Sequence, residues 1–212
     1  MRTDDLIQSL AHQLRPTPRH TVAARIAIGI GGGSLVSAVL LFLFIGVRPD
    51  LMSAVGSASY LSKVAYVVSM AAAALWAVAR LARPDTSTKA IWILAVPFLI
   101  YIPAGLWELA HTDQALWGTM LLGHGWRRCT WLVLGLSLPI CAGLWWAFRD
   151  FAPTHFAVAG AAAGICSGAI GAIIYCLHCP TDTAVFALAW YTLAFGLAGT
   201  LGALLGRHLM RW

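Results

Sequence analysis

Long apolar runs alternate along this chain with short clusters of charge, and six of the runs are long enough to cross a bilayer, which takes about 20 mostly apolar helical residues. The first is Ile26–Val47, closed by Arg48-Pro49-Asp50, and the second runs from Tyr60 or Val64 to Leu81, closed by Arg83-Pro84-Asp85. The third is Ala90–Leu109, and the fourth is Cys129–Phe148, closed by Arg149-Asp150. The fifth is Phe156–Cys176, stopped by Pro180, and the sixth is Ala184–Leu205, closed by Arg207. The pattern predicts an all-α polytopic membrane protein with six transmembrane helices. Its connections are too short for a folded domain outside the membrane; the longest runs from Ala110 to Arg128.

Within the spans, small residues recur at helical spacing. Gly160, Gly164 and Gly168 form one stripe, continued by Ala172, and the sixth span answers with Gly196, Gly199, Gly202 and Gly206. Such stripes let two helix backbones approach closely in lipid, so we read them as mutual packing faces rather than a substrate path. The glycine run Gly29–Ser34 lacks both a preceding strand and a following Lys-Ser/Thr, which rules out a phosphate cradle. Every Asp, Glu, Lys and Arg falls at or near a span end, Glu108 included. Without midplane ionisable residues, an evident broken-helix pair or a clear inverted repeat, a small metal transporter is a weak reading.

Composition agrees: 60% of the residues are hydrophobic and 10% charged, against about 45–50% and about 25% in soluble domains. That excludes a disordered tail, a secreted disulfide scaffold and a soluble DNA-binding domain. The net charge of +6 would suit nucleic acid, but its distribution reads as topology. Ten basic residues (Arg2, Arg15, Arg19, Arg25, Arg80, Arg83, Lys89, Arg149, Arg207 and Arg211) fall on one side, and four (Arg48, Lys63, Arg127 and Arg128) on the other. Lys and Arg favour the cytoplasmic side, which predicts both termini inside and a multi-pass membrane protein with no direct nucleic-acid contact. The basic residues then serve as loop anchors. No signal peptide is evident, because the first apolar run begins some 25 residues in and is long enough to stay as an anchor.

On the outer side a small group of chemically active residues collects. Of five cysteines, Cys141 and Cys166 lie mid-span, where a thiol acts as a small hydrophobe. Cys129 opens the fourth span beside Arg127 and Arg128, whose charge would favour its thiolate. Cys179 sits just past the fifth span in Cys176-Leu177-His178-Cys179-Pro180-Thr181-Asp182. His178 and Asp182, with His124 or His111, add metal-type ligands. Two chemistries fit: a transient soft-metal site, with no constitutive cofactor, or a disulfide between the fourth and fifth helices. The Cys176-x2-Cys179 spacing also raises a membrane thiol oxidoreductase using Cys176, Cys179 and Cys129. Cys176 belongs to the last turn of a helix, which argues against that enzyme.

The inner side holds a segment with its own pattern, so the chain divides into residues 1–21 and a six-helix domain, 22–212. Thr3 is an N-cap, and Asp4 and Asp5 complement the helix dipole in the first turn. Leu6, Ile7, Leu10 and Leu14 recur at helical spacing until Pro16 and Pro18 end the helix. An amphipathic helix tethered at the membrane can lie on the bilayer or fill a partner's groove.

With these residues in hand, the chain resembles the NrsF family of integral-membrane anti-sigma factors. The resemblance rests on Met1-Arg-Thr-Asp4-Asp5-Leu6-Ile7, Arg48-Pro49-Asp50-Leu51, Arg80-Leu81-Ala82-Arg83-Pro84 and Gly125-Trp126-Arg127-Arg128-Cys129. It continues through Ala152-Pro153-Thr154, His178-Cys179-Pro180-Thr181-Asp182 and Trp190-Tyr191-Thr192. It implies a six-helix regulator without enzymatic activity that holds an extracytoplasmic-function (ECF) sigma factor through its cytoplasmic N-terminal segment. It further implies that two outward-facing cysteines, matching Cys129 and Cys179, serve the response to stress such as heavy metals.

Overall fold

The computed structural model of the protein describes residues 19–82, 87–123, 125–149 and 154–209. Among them all regular structure is helical, and six helices are long and apolar enough to cross a membrane. α1 is Arg19–Leu40, prolonged by a π turn, Leu41–Ile45. α2 is Ala58–Leu81, and α3 is Ala95–Ala110, entered through the 3₁₀ helix Thr88–Leu94. α4 is Trp126–Phe148 and α5 is Phe156–Tyr175. α6 is Thr192–Leu209, entered through the turn Ala184–Phe186 and a second π turn, Ala187–Tyr191. An even number of crossings brings Arg19 and Leu209 to one end of the bundle, the tail end; Cys129 and Cys179 lie at the other, the cysteine end.

α5 is the centre. Its small side chains are buried along most of its length, and α2, α4 and α6 all pack against it. The α5–α6 contact is backbone on backbone. A Cβ on Gly160 would collide with the Gly202 carbonyl, one on Gly164 with that of Ala198, and one on Gly206 with that of Phe156 at 2.6 Å. A Cβ on Gly168 would meet the Ala198 side chain tightly, at 3.1 Å, whereas Gly196 faces open space.

A second seam of the same kind joins α1 to α4, and it is made by the glycine run set aside above. Gly29 and Gly143 press on each other's backbone, and a Cβ at Gly33 would meet Ile140 Cα at 2.5 Å. One turn further, the buried Ser37 hydroxyl reaches Leu136 O across the seam at 2.6 Å and Gly33 O at 2.9 Å. Lipid tails are as apolar as leucine, so such close packing and interhelical hydrogen bonding, rather than water exclusion, hold helices together. The bundle therefore contains two tightly joined pairs, α1 with α4 and α5 with α6.

Two of the basic residues read as loop anchors are nothing of the kind. α2 begins earlier than its apolar run suggests, because the Ser57 hydroxyl caps it by accepting from Tyr60 N at 3.2 Å. That places Lys63 in the second turn of a spanning helix, with its side chain 0% exposed. Arg48, just past α1, is buried as well, its side chain 5% exposed. Lys63 does lie near the end of its span, but it is enclosed within the helix bundle rather than solvated, its charge met by a partner from another loop.

Candidate functional site

The cysteine end is built around the turn that follows α5. Helical bonding persists past Tyr175: His178 N and Cys179 N both donate to Tyr175 O, at 2.9 and 3.0 Å. Pro180, which has no N–H to continue the winding, stops it there. The extra turn folds Cys179 back into the bundle, where it is buried beside Tyr175 and Phe186. From the opposite side comes Cys129, in the first turn of α4, its N–H donating to Gly125 O at 3.0 Å. Cys129 faces inward and is fully buried, and its thiol donates a hydrogen bond to Cys179. All five cysteines are free thiols.

Charge at this site comes from an unexpected quarter. Arg127 and Arg128 are exposed, and the Arg127 guanidinium lies over the Trp126 ring, 5.1 Å from its centroid. The cation that enters the turn is Lys63. Its Nζ donates to Asp182 at 2.5 Å, to Thr181 O at 3.0 Å and to Cys179 O at 3.4 Å. Arg48 approaches the same turn. Its Nη1 donates to Cys179 O at 3.0 Å and to both Asp182 oxygens, while Nε and Nη2 hold Asp50 at 2.8 and 2.7 Å. The Tyr60 ring lies beside both cations. Buried charges survive only when paired and hydrogen-bonded, and this cluster meets that condition atom by atom.

The same contacts set the thiol chemistry. The hydrogen bond from Cys129, with Lys63 adding its charge against the cost of burial, holds the Cys179 thiol below its ordinary range, at about 6. Cys176 goes the other way, pushed up by burial to about 11, and its thiol faces the Tyr191 hydroxyl at 3.9 Å. The cation that favours a thiolate in this pair is thus Lys63, across the turn, rather than the exposed arginines adjacent to Cys129. A cavity of about 370 Å³ bordered by Arg128, His178 and Cys179 leads to it.

The other candidate ligands have different employment. His178 Nδ1 donates to Gly46 O at 2.9 Å, beyond the end of α1, and Asp182 is taken by the two cations. His111 packs its ring on Trp107 at the end of α3, and His124 lies outside the described residues. Among the described residues no three His, Cys, Asp or Glu side chains gather as a metal-binding group. The donors left facing each other are two sulfurs, a set that suits a two-coordinate soft ion or a disulfide. Thr3, Asp4, Asp5, Leu6, Ile7 and Leu10 of the amphipathic segment also lie outside the described residues.

Sequence reasoning missed Lys63, Arg48 and Tyr191 as parts of this site. A signal for Lys63 was present in the Ser57 cap, which moves the start of α2 back far enough to enclose it. Glu108 was noted only as lying at a span end. Its carboxylate accepts from Val185 N at 3.0 Å, tying α3 to the entry of α6.

Comparison with known proteins gives a consistent result. The NrsF family, described as negative regulator of sigma F, matches residues 10–212. A probable anti-sigma-F factor NrsF of Azospira oryzae is 35% identical over 218 residues, covering the full length of both chains. The anti-sigma-F factor NrsF of Caulobacter vibrioides is 36% identical over 214 residues, again covering both chains fully. No solved structure matches.

Proposed function

Because the chain belongs to the NrsF family, we propose that it is a transmembrane anti-sigma factor of the bacterial inner membrane. Its N-terminal segment holds an ECF sigma factor at the cytoplasmic face, and its cysteine end faces outward and receives the signal. The names of the two relatives support the sigma-factor partner. The excess of Lys and Arg on the tail side supports the orientation. Thr3, Asp4, Asp5, Leu6, Ile7 and Leu10 are the docking face, with the apolar stripe seated in a groove of the sigma factor.

The observation that carries the sensing role is the contact between the Cys129 and Cys179 thiols, one on each tightly joined helix pair. Closing them as a disulfide removes two protons and two electrons, which a peroxide accepts as it is reduced to water, and a sulfur–sulfur bond forms. That bond is about 2.04 Å long, shorter than any non-bonded contact of two sulfurs, so closure draws the two cysteines together. A soft metal ion bridging two thiolates, with release of their protons, is the second closing chemistry that the two-sulfur donor set supports. Either event shifts the α1–α4 pair against the α5–α6 pair. To turn a 99:1 bound population into 1:99, the signal must favour release by about 5.5 kcal/mol.

The test is a sigma-dependent reporter in cells carrying Cys129→Ser/Cys179→Ser. The proposal expects induction by peroxide and by Cd(II) to disappear; full induction in the double variant would refute the sensing role. Deleting residues 2–14 is expected to give constitutive expression, and continued repression would remove the docking role.

A further inference from the structure

α1 is the helix that comes next in the chain after the N-terminal segment, yet it shares little surface with α5 or α6. It is held along its length by α4, and at its cysteine end by a compact set of bonds to the turn after α5. Arg48 N donates to Leu177 O at 3.0 Å, His178 donates to Gly46 O at 2.9 Å, and Arg48 Nη1 donates to Cys179 O at 3.0 Å. Arg48 alone among these touches the backbone of a reacting cysteine. Its guanidinium is fixed on both flanks, by Asp50 on its own loop and by Asp182 on the cysteine loop. It is therefore a rigid strut rather than a mobile side chain.

We propose that Arg48 is the positioning residue that couples the state of the Cys129–Cys179 pair to α1, and through α1 to the N-terminal segment. The inference rests on the sensing role proposed above. An N–H···O bond at 3.0 Å tolerates only a few tenths of an ångström before it weakens. A displacement of Cys179 larger than that obliges Arg48 either to follow or to let go. Following is the cheaper course, because letting go leaves the buried Nη1 only its bonds to Asp182 and leaves the Cys179 carbonyl only the longer bond from Lys63. The Gly160/Gly164/Gly168 seam lies within the α5–α6 pair and does not lie between the cysteines and α1. The α1–α4 seam at Gly29, Gly33 and Ser37 does, and it makes α1 move as a unit with the helix that carries Cys129.

Two measurements test this on the full chain in membranes. In the first, diamide closes the pair, and both closure (thiol labelling) and loss of the co-purified sigma factor are followed. The readout is partner released per pair closed. Arg48→Gln is expected to lower that ratio at least tenfold, and Arg48→Lys, which keeps a charged donor, to recover part of it. An unchanged ratio in Arg48→Gln overturns the proposal. The second uses the unaltered chain without partner, so neither misfolding of a variant nor the identity of the partner intrudes. Hydrogen exchange of residues 46–51 is compared with the pair open and closed by diamide. A change in their protection of threefold or more is expected, and identical exchange in the two states overturns the coupling. If exchange changes but Cys129→Ser/Cys179→Ser still induces normally in cells, the coupling stands and the sensing role falls.

Discussion

Lys63 and Asp182 meet at 2.5 Å inside the cysteine end of the bundle, the lysine from the second turn of α2 and the aspartate from the loop after α5. The lysine is completely buried and Asp182 is shared with Arg48. One carboxylate thus satisfies two buried cations, and it does so in the loop that presents Cys179. The cluster is a structural lock on that loop, and its charge is unevenly distributed: the more exposed Asp50 provides the second negative charge only at the rim.

This arrangement predicts unequal costs for removing its members. Asp182→Asn leaves Lys63 and Arg48 buried without their shared partner, at a cost of about 3–5 kcal/mol. Lys63→Met leaves Asp182 still paired with Arg48 and replaces a buried cation by an apolar chain of similar length, so it should cost less than half as much. Midpoints of detergent-induced unfolding would rank the two, and equal or reversed losses would contradict the shared-carboxylate reading.

Alkylation should separate the cysteines by pH. Cys179 has its thiol lowered to about 6, so its thiolate is present above that pH and vanishes below it. Iodoacetamide labelling of Cys179 should therefore rise through pH 6 and level off by about pH 8, where an ordinary thiol is still gaining. Cys176, raised to about 11, should remain unlabelled throughout. Cys129→Ala removes the hydrogen bond that contributes most to the lowering, so the Cys179 midpoint should move upward. Site-resolved mass spectrometry reads all three outcomes.

Neighbouring glycines of α1 should behave in opposite ways. Gly33 lies against the α4 backbone, whereas a Cβ at Gly32 meets nothing within 4 Å. Gly33→Leu is expected to destabilise the bundle by at least about 1–3 kcal/mol, while Gly32→Leu stays within about 0.5 kcal/mol of the parent. Unfolding midpoints in the same detergent system check the contrast.

Glu108 offers a milder perturbation. It accepts the otherwise unpaired N–H of Val185 in the turn that leads into α6, a capping bond worth about 1 kcal/mol. Glu108→Ala should lower stability by that amount, and Glu108→Gln, which keeps an accepting oxygen, by less.

What the sequence disclosed and what it hid divide along a physical line. The six spans were legible because hydropathy over a bilayer's thickness is a one-dimensional property. The α1–α4 seam was legible in principle too: Gly29, Gly33 and Ser37 carry the same four-residue spacing as Gly160, Gly164 and Gly168. Its glycines also match the start of a phosphate loop, and that likeness masks the packing stripe. The ion cluster was hidden for a stronger reason. Counting Lys63 and Arg48 by side treats each cation as a solvated anchor, and nothing local to either residue reveals that Asp182, more than 110 positions away in sequence, neutralises it. The cation that favours a thiolate likewise comes from another helix, as Lys63, and not from the arginines next to Cys129.

The π turn Leu41–Ile45 has a consequence for lengths of chain. It closes through a bond from Gly46 N to Leu41 O at 2.7 Å, one residue wider than an α turn, and Gly46 leaves it at φ +82°. Each residue of a helix advances the axis by about 1.5 Å and turns it by about 100°. The turn thus already holds one residue more than α winding needs, so removing one would let it close as an α turn with Arg48 kept near its place, whereas adding one would swing Arg48 roughly a quarter of the way round α1, off the cysteine loop and toward lipid. The bundle should thus accept many substitutions on the outward faces of Phe42, Leu43 and Phe44, and even the loss of one of them, yet be intolerant of a single insertion among them.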